Sequence, residues 1–212
     1  MGNRRIFVVE AESPPREELV RMLSQSRAEI YACAAAEDFL AQVDADLPTC
    51  LVMGFDLPGM SALDLLAHLR EKRLRLPSIV ISAHGSVPLT VEAMRRGAEM
   101  VFEAPVEPAE LAREVQRCLT EDARKAPQRR RARDVRERLG SVSEGEREVL
   151  LALLNGKGNK TIATELAIGQ RTVEARRARL FEKLGADSLA QLVRDVVVAA
   201  ELDPAVAAML GL

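Results

Sequence analysis

The sequence has few cysteines and no long apolar run, and each shortage excludes a class of protein. Its three cysteines, Cys33, Cys50 and Cys118, are widely spaced and stand in apolar stretches. This pattern argues against a disulfide framework or a zinc site and predicts small buried thiols in a reducing compartment. No run approaches the roughly 18 apolar residues of a membrane span, and a strand pattern follows the N-terminus without a signal-peptide core. We therefore expect a cytoplasmic protein that has no membrane partner.

The chain also lacks a strong net charge, yet its charges are unevenly distributed. Residues 1–122 hold 13 Lys and Arg against 20 Asp and Glu, a net charge of −7. Residues 123–212 hold 17 against 12, a net charge of +5. An acidic half followed by a basic half predicts two domains, the second of which binds a polyanion through salt-sensitive contacts.

The first half alternates short apolar runs with amphipathic stretches. Runs rich in β-branched and aromatic residues predict strands at Ile6–Val9, Ile30–Cys33, Cys50–Met53, Ser78–Ile81 and Met100–Phe102. Apolar residues at helical spacing predict helices at Arg16–Ser24, Ala36–Val43, Ala62–Leu69, Val87–Arg96 and Pro108–Leu119. Parallel strands need crossover connections, so this order implies a parallel sheet with helices on both faces. The functional site of such a sheet lies at the carboxyl ends of its strands.

Several segments of residues 4–120 resemble response-regulator receiver domains. They are the loop Leu57–Ser61, the segment Ile79–Gly85, the helix end Ala93–Ala98 and the step Ala104-Pro105. The resemblance implies a flavodoxin-like fold with a five-stranded parallel sheet and a cis peptide bond before Pro105. It also implies a phosphorylation site with an acidic pair after strand one and an aspartate after strand three. A Ser or Thr after strand four and a lysine after strand five complete that site.

The site expected from this resemblance is degenerate. The corresponding positions read Glu10-Ala11, Gly54, Ser82 and Ala104. Glycine cannot form an acyl phosphate, and the loss of the nucleophile, one acid and the lysine indicates natural degeneration, so we predict a non-phosphorylatable receiver. Asp56 is a poor substitute nucleophile because no lysine would balance the phosphoryl charge. We predict no catalytic residue and no cofactor.

The emptied site leaves two questions open. Glu10, Glu12 and Asp56 could still hold a metal ion, although no metal site is predicted. Without a metal or a lysine, the pocket is expected to be looser, or to be filled by water or a neighbouring side chain.

A charged segment separates the two predicted domains. Residues 123–140 contain Pro127 and the run Arg129–Arg133, and they predict a linker that is helical from about Gln128. The predicted domains are therefore 1–122 and 141–212. The arginine run either contacts DNA phosphates or forms a solvated or dimer-stabilising helix face.

The second half carries the signals of a helix-turn-helix. Ser143 and Glu146 form a capping box that opens a helix. The further predicted elements are helices Lys160–Leu166, Arg171–Leu184 and about Ser188–Ala199, with a tight turn at Ala167–Gln170. A short helix and a longer one joined by a glycine-containing turn have helix-turn-helix geometry. The tail Asp203–Leu212 is either a packed helix or a dimer contact.

Residues 141–200 resemble the four-helix LuxR/FixJ-type domain. The motifs that carry the resemblance are Ser143–Leu150, Asn159–Ala163, Arg171–Glu174 and Lys183–Ala186. The resemblance implies binding to double-stranded DNA, with Arg176 standing where many members have histidine.

Helical spacing assigns separate tasks to the longer helix. Val173, Leu180 and Leu184 share one side and are expected in the core. The opposite side would enter the major groove, where Glu174, Ala175 and Ala178 would meet base edges. Seven residues suit phosphate contacts: Lys160, Thr161, Arg171, Thr172, Arg177, Arg179 and Lys183.

The resulting prediction is a response regulator of the LuxR/FixJ type (NarL/FixJ family) that binds DNA without aspartyl phosphorylation and is not an enzyme. A homodimer is expected because such modules read two half-sites. In receivers of this type the partner surface commonly spans helix four to helix five, here about Val87–Leu119, although the first or fifth helix could serve instead. Alternatively, the receiver is an adaptor for a histidine kinase or another regulator, with DNA binding as the readout. A metal-dependent enzyme using Glu10, Glu12 and Asp56 lacks a nucleophile and base at motif spacing.

Overall fold

The computed structural model describes residues 4–44 and 46–211. The outermost residues of the two predicted domains, 1–3 and 212, lie outside the described residues, as does Ala45. The chain divides into two compact units, Met1–Pro127 and Gln128–Leu212, which we call the N-terminal unit and the C-terminal unit.

The N-terminal unit is built on a parallel sheet of five strands in the order β2-β1-β3-β4-β5, which confirms the predicted fold class. Its strands are β1 (Arg5–Val9), β2 (Glu29–Cys33), β3 (Thr49–Gly54), β4 (Ser78–Ser82) and β5 (Met100–Glu103). Its helices are α1 (Ser13–Leu23), α2 (Ala36–Gln42), α3 (Ala62–Glu71), α4 (Val87–Arg96) and the start of α5 (Pro108–Leu139). The structure starts α1 earlier than predicted because a proline suits the first helical turn. The Ala104-Pro105 bond is cis, as the resemblance implied.

Successive residues of the central strands point into two cores, one on each face of the sheet. Phe7 and Met53 belong to one core, whereas Val8 and Val52 belong to the other. Both cores are apolar because helices cover both faces of a parallel sheet. All three cysteines are buried and free, as predicted.

Helix α5 differs from the prediction, which ended a helix at Leu119 and placed a separate linker at residues 123–140, helical from about Gln128. The structure has one helix over Pro108–Leu139, with Pro127 inside it. The high charge of this segment hides an apolar stripe: Ala132, Val135 and Leu139 recur at helical spacing and are buried in the core of the C-terminal unit. Burial of this stripe stabilises the helix beyond Pro127 and offsets the proline, which costs roughly 3 kcal/mol by removing a helical hydrogen bond and crowding the preceding turn.

The C-terminal unit is helical, and its elements beyond α5 are α6 (Glu144–Leu154), α7 (Asn159–Glu165), α8 (Gln170–Leu184), α9 (Leu189–Leu202) and α10 (Pro204–Leu210). The tail, for which the sequence left two readings, forms α10, and its Val206 and Leu210 are buried in the core. Within the residues described, no helix combines the length and apolarity needed to cross a membrane.

Candidate functional site

The carboxyl ends of four strands bring the predicted receiver positions to one edge of the sheet. Glu10 follows β1, Gly54 ends β3, Ser82 ends β4 and Ala104 follows β5. A cavity of about 330 Å³ opens at this edge, and we call it the receiver pocket. Its lining consists of Glu10, Ala11, Glu12, Pro15, Glu18, Leu19, Met22, Phe55, Asp56, Ile81, Ala83, Ala104, Pro105 and Val106.

The carboxylate of Glu10 takes up the space that a side chain at position 54 would need. A Cβ atom built on Gly54 would overlap Glu10 Oε2 and would lie 2.9 Å from Glu10 Cδ. The other carboxylate oxygen, Oε1, accepts a hydrogen bond of 3.3 Å from the backbone N–H of Glu12. The side chain of Glu10 thus fills the space beside Gly54.

Arg16 is a residue of this site that no sequence pattern had indicated. Its Nη1 donates hydrogen bonds to the backbone carbonyls of Glu10 at 2.7 Å and of Ala11 at 3.0 Å. The guanidinium therefore fastens the loop between β1 and α1, and Arg16 is not among the residues that line the pocket. The position of this arginine, early in the helix that follows the loop, could have indicated that it bonds to the loop carbonyls.

The acids around the pocket do not converge on one point. Among residues 4–44 and 46–211, no three His, Cys, Asp or Glu side chains are grouped closely enough to hold a metal ion. Glu10 is half-buried, whereas Glu12 and Asp56 are exposed. The hydroxyl of Ser82 is buried and accepts a hydrogen bond of 3.3 Å from the backbone N–H of His84. The open question about a metal on Glu10, Glu12 and Asp56 therefore receives no support from their placement.

Helices α7 and α8 form the predicted helix-turn-helix. The turn between them contains Ala167, whose φ of +52° lies in the left-handed region, and Gly169 is the N-cap of α8. Val173, Leu180 and Leu184 are buried, as their spacing predicted. The residues with exposed side chains that the sequence assigned to DNA are Lys160, Thr161, Arg171, Thr172, Glu174, Ala175, Ala178 and Arg179.

Two of the residues assigned to DNA phosphates have partners inside the C-terminal unit. Arg177 Nη1 donates a short hydrogen bond to Oδ1 of Asn159, which links α8 to the start of α7. Lys183 Nζ lies 2.6 Å from Glu146 Oε2 and donates a hydrogen bond of 2.8 Å to the carbonyl of Ser141. The sequence could not reveal the second pairing because 37 residues separate its charged partners.

Glu146 is a buried carboxylate at the start of α6. It completes the predicted capping box by accepting a hydrogen bond of 2.9 Å from the backbone N–H of Ser143. Its pKa is lowered to about 2, first by the hydrogen bond from Lys183 and then by those from Ser143, against the opposing effect of burial. The carboxylate is therefore charged in the folded unit.

Arg176 packs against α6 over a residue that has no side chain. Its Nη1 donates a hydrogen bond of 3.0 Å to the carbonyl of Gly145 and lies 3.7 Å from Glu148 Oε2. A Cβ atom on Gly145 would come within 2.6 Å of the Arg176 guanidinium carbon. The arginine that stands where many family members have histidine is thus accommodated by a glycine on the neighbouring helix.

The arginines near the end of α5 are directed into the C-terminal unit. Arg131 Nη2 lies 2.7 Å from Asp195 Oδ2, and Arg136 Nη1 lies 2.9 Å from Asp203 Oδ2. Arg138 Nη1 donates a hydrogen bond of 2.9 Å to the carbonyl of Leu184, at the end of α8. This part of α5 is therefore built into the DNA-binding unit, an arrangement that neither reading of the arginine run anticipated.

Comparisons with known proteins agree with this architecture. Residues 6–116 match the family described as the response regulator receiver domain, and residues 140–196 match the bacterial regulatory proteins of the luxR family. The chain belongs to the response regulators of the FixJ type, whose receiver is joined to a LuxR-family DNA-binding domain that acts in transcription regulation. This is a family of transcriptional regulators, not of enzymes.

Individual relatives match over nearly the whole chain. The transcriptional regulatory protein FixJ of Rhizobium meliloti is 37% identical over 92% of this chain and 95% of its own length. FixJ of Azorhizobium caulinodans is 36% identical over 92% of each chain. Among solved structures, the response regulator StyR has a TM-score of 0.65 at 33% identity, covering 92% of this chain and 98% of its own. Full-length FixJ from B. japonicum has a TM-score of 0.53 at 30% identity, covering 96% and 100%.

Proposed function

We propose that this chain regulates transcription as a DNA-binding homodimer whose receiver works without aspartyl phosphorylation. The observation that carries the proposal is the pair of Gly54 and Glu10 at the end of β3. Position 54 offers no oxygen to attack phosphorus, and the carboxylate of Glu10 occupies the space that an aspartate there would need.

The other departures from the receiver pattern remove what a phosphoryl group would require. Ala104 provides no ammonium group to balance the transferred charge, and Ala11 provides no carboxylate for Mg²⁺. Ser82 keeps its hydroxyl, but a hydroxyl alone cannot offset the charge of a phosphoryl group. Phosphate chemistry at this edge of the sheet thus lacks its nucleophile and two of its supporting groups.

The experiment treats full-length protein with acetyl phosphate and Mg²⁺ and measures its intact mass and its affinity for DNA upstream of its own gene. A receiver that carries the aspartate is treated in parallel to show that the reagent is active. We expect no phosphoryl adduct. Across a salt series, the treatment should also leave the dissociation constant for this DNA, relative to that for scrambled DNA, unchanged. A phosphoryl adduct, or tighter DNA binding after treatment, would contradict the proposal.

In the DNA complex, the exposed side of α8 would enter the major groove. Glu174 accepts hydrogen bonds from cytosine amino groups, and Ala175 and Ala178 allow close approach to thymine methyl groups.

The exposed cations Lys160, Arg171 and Arg179 contact phosphates, which fix the register without reading the sequence. The exposed hydroxyls of Thr161 and Thr172 would donate hydrogen bonds to phosphates. The contacts of Arg177 and Lys183 inside the unit favour a supporting task for these two.

An exposed apolar stripe on α4 supports dimerisation through the receiver. Val87, Val91 and Met94 follow helical spacing and are exposed, and Met100 is exposed on the adjacent strand β5. Val197 in the C-terminal unit is the matched control for Val91, since the two valines are 41% and 42% exposed. We expect Val91→Asp to lower the dimer fraction measured by light scattering, and Val197→Asp to leave it unchanged. The reverse result would assign the dimer to the C-terminal unit.

The same stripe also serves the alternative function, in which the receiver is an adaptor for a histidine kinase or another regulator. Under that function, Val91→Asp abolishes capture of the partner kinase but leaves the mass of the purified protein and its affinity for DNA unchanged. Under the homodimer proposal, the same variant lowers both the dimer fraction and the affinity for a two-half-site operator.

A further inference from the structure

We propose that the receiver pocket binds a small organic cation with an apolar body, such as an arylalkyl ammonium ion. The proposal rests on the absence of phosphoryl transfer argued above, because both would use the same edge of the sheet. The pocket's volume of about 330 Å³ falls in the range of small-molecule sites.

The walls of the pocket are mainly apolar. Leu19 and Met22 from α1, Ile81 from β4 and Val106 after β5 line it together with Phe55, which follows β3. Four parts of the fold therefore contribute apolar surface to one cavity, at the edge of the sheet where ligands bind in open α/β folds. Such walls would remove an aromatic or aliphatic body from water, at a gain of roughly 25 cal/mol per Å².

The charged groups of the lining all have one sign. Glu10, Glu12, Glu18 and Asp56 line the pocket, and its lining contains no Lys, Arg or His. Within residues 4–44 and 46–211, the side chains of Glu12, Glu18 and Asp56 have no hydrogen bond or ion pair. The nearby cation, Arg16, donates to backbone carbonyls. Every charged group of the lining would therefore attract a cationic ligand, and none would repel it.

The spacing of these acids favours an organic cation over a metal ion. Metal binding needs several oxygen ligands at 2.0–2.6 Å from one point. The described residues contain no group of three acids, thiols or imidazoles placed to hold a metal. Acids spread around an apolar cavity instead complement a ligand whose ammonium group lies at the rim and whose body fills the interior.

The test uses 2-phenylethylammonium as the probe and full-length, isotope-labelled protein. Its NMR shifts are expected to change at residues that line the pocket, with an affinity at least tenfold higher than that of neutral 2-phenylethanol. Phenylacetate, which has a similar body and the opposite charge, is expected not to bind. Equal affinities for the ammonium and the alcohol, or shifts only at residues outside the pocket, would overturn the proposal.

Two variants connect binding to the pocket. The double variant Glu12→Gln, Glu18→Gln removes exposed charges and is expected to weaken binding of the ammonium probe roughly fivefold, whereas Glu71→Gln, an exposed acid outside the pocket, leaves it unchanged. Ala83→Phe places a ring into the pocket from its exposed rim and is expected to abolish the probe's shifts while the thermal unfolding midpoint is retained. Unchanged binding in both pocket variants would overturn the proposal.

The acetyl phosphate experiment separates this inference from the function on which it rests. A phosphoryl adduct would contradict the proposed function whether or not the ammonium binds. If neither a phosphoryl adduct nor NMR shift changes caused by 2-phenylethylammonium are observed, only the ligand proposal is overturned.

Discussion

Lys183 Nζ lies 2.6 Å from Glu146 Oε2 and joins the last turn of α8 to the first turn of α6. Glu146 also accepts the backbone hydrogen bond of the α6 capping box, so one carboxylate fixes both a helix start and a contact between helices. Sequence spacing assigned Glu146 to the cap and Lys183 to DNA phosphates. The ion pair gives Lys183 a partner inside the unit.

This pair predicts an acid-sensitive C-terminal unit. The pKa of Glu146 is about 2 in the folded unit, below its ordinary value of 4.5, so the unfolded state takes up the proton first. Its stabilisation is fully present above about pH 4.5 and is lost as the pH falls from there toward 2. We expect Glu146→Gln to lower the free energy of unfolding at pH 7, and the difference from wild type to shrink between pH 5 and pH 2.

Glu148→Gln is the matched control because Glu148 is exposed and lies 3.7 Å from its arginine partner. We expect the effect of Glu148→Gln on the free energy of unfolding at pH 7 to be small. Urea unfolding followed by circular dichroism over this pH range measures both variants. A constant difference between Glu146→Gln and wild type down to pH 2 would contradict the assigned pKa.

The DNA complex should distinguish Arg171 from Lys183. Arg171 is exposed at the start of α8, whereas Lys183 is held by Glu146 and Ser141. Arg171→Ala should reduce the slope of log affinity against log salt by about 1, because one phosphate contact is lost. Lys183→Ala should lower the thermal midpoint and leave the salt slope nearly unchanged. If Lys183→Ala reduces the salt slope at a temperature where the variant is fully folded, Lys183 contacts a phosphate after all.

The end of α5 should unfold together with the C-terminal unit. Leu139 is buried in that unit's core, so Leu139→Ala should destabilise the unit by about 2–5 kcal/mol. Hydrogen exchange of the α9 amides in the full chain measures this loss, with Leu111→Ala in the other unit as control. Unchanged α9 exchange in Leu139→Ala would mean that the end of α5 is not needed for the core.

The turn between α7 and α8 stores a local strain that glycine should relieve. Ala167 is exposed and has a left-handed φ of +52°, which costs a residue with a Cβ atom about 1–2 kcal/mol. After the extra entropy cost of glycine, Ala167→Gly should raise the free energy of unfolding by about 0.5–1 kcal/mol. Ala175→Gly, at an exposed position inside α8, should instead lower it by about 1 kcal/mol. Denaturant unfolding compares the two, and a loss in both variants would contradict the strain.

The sequence by itself determined the receiver-like sheet, the helix-turn-helix and which residues stand at the positions where receivers carry their phosphorylation site. Short apolar runs and helical spacing are local patterns, so β1 to β5 and α8 could be predicted with small errors at their ends. The capping box at Ser143 and Glu146 and the buried face of α8 followed from the same local spacing. Gly54 was informative without a structure because the absence of a side chain is a property of the residue itself.

Tertiary structure alone decided which distant residues meet. The pairing of Lys183 with Glu146, the packing of Arg176 over Gly145 and the filling of the Gly54 site by Glu10 join residues that are separated along the chain. Helix α5 shows the same limit, because the sequence predicted a separate helical linker but did not reveal that it continues the helix from Pro108 or that its apolar stripe is buried in the C-terminal unit. Local pattern fixes where elements form, whereas side-chain partners depend on three-dimensional proximity that sequence spacing does not encode.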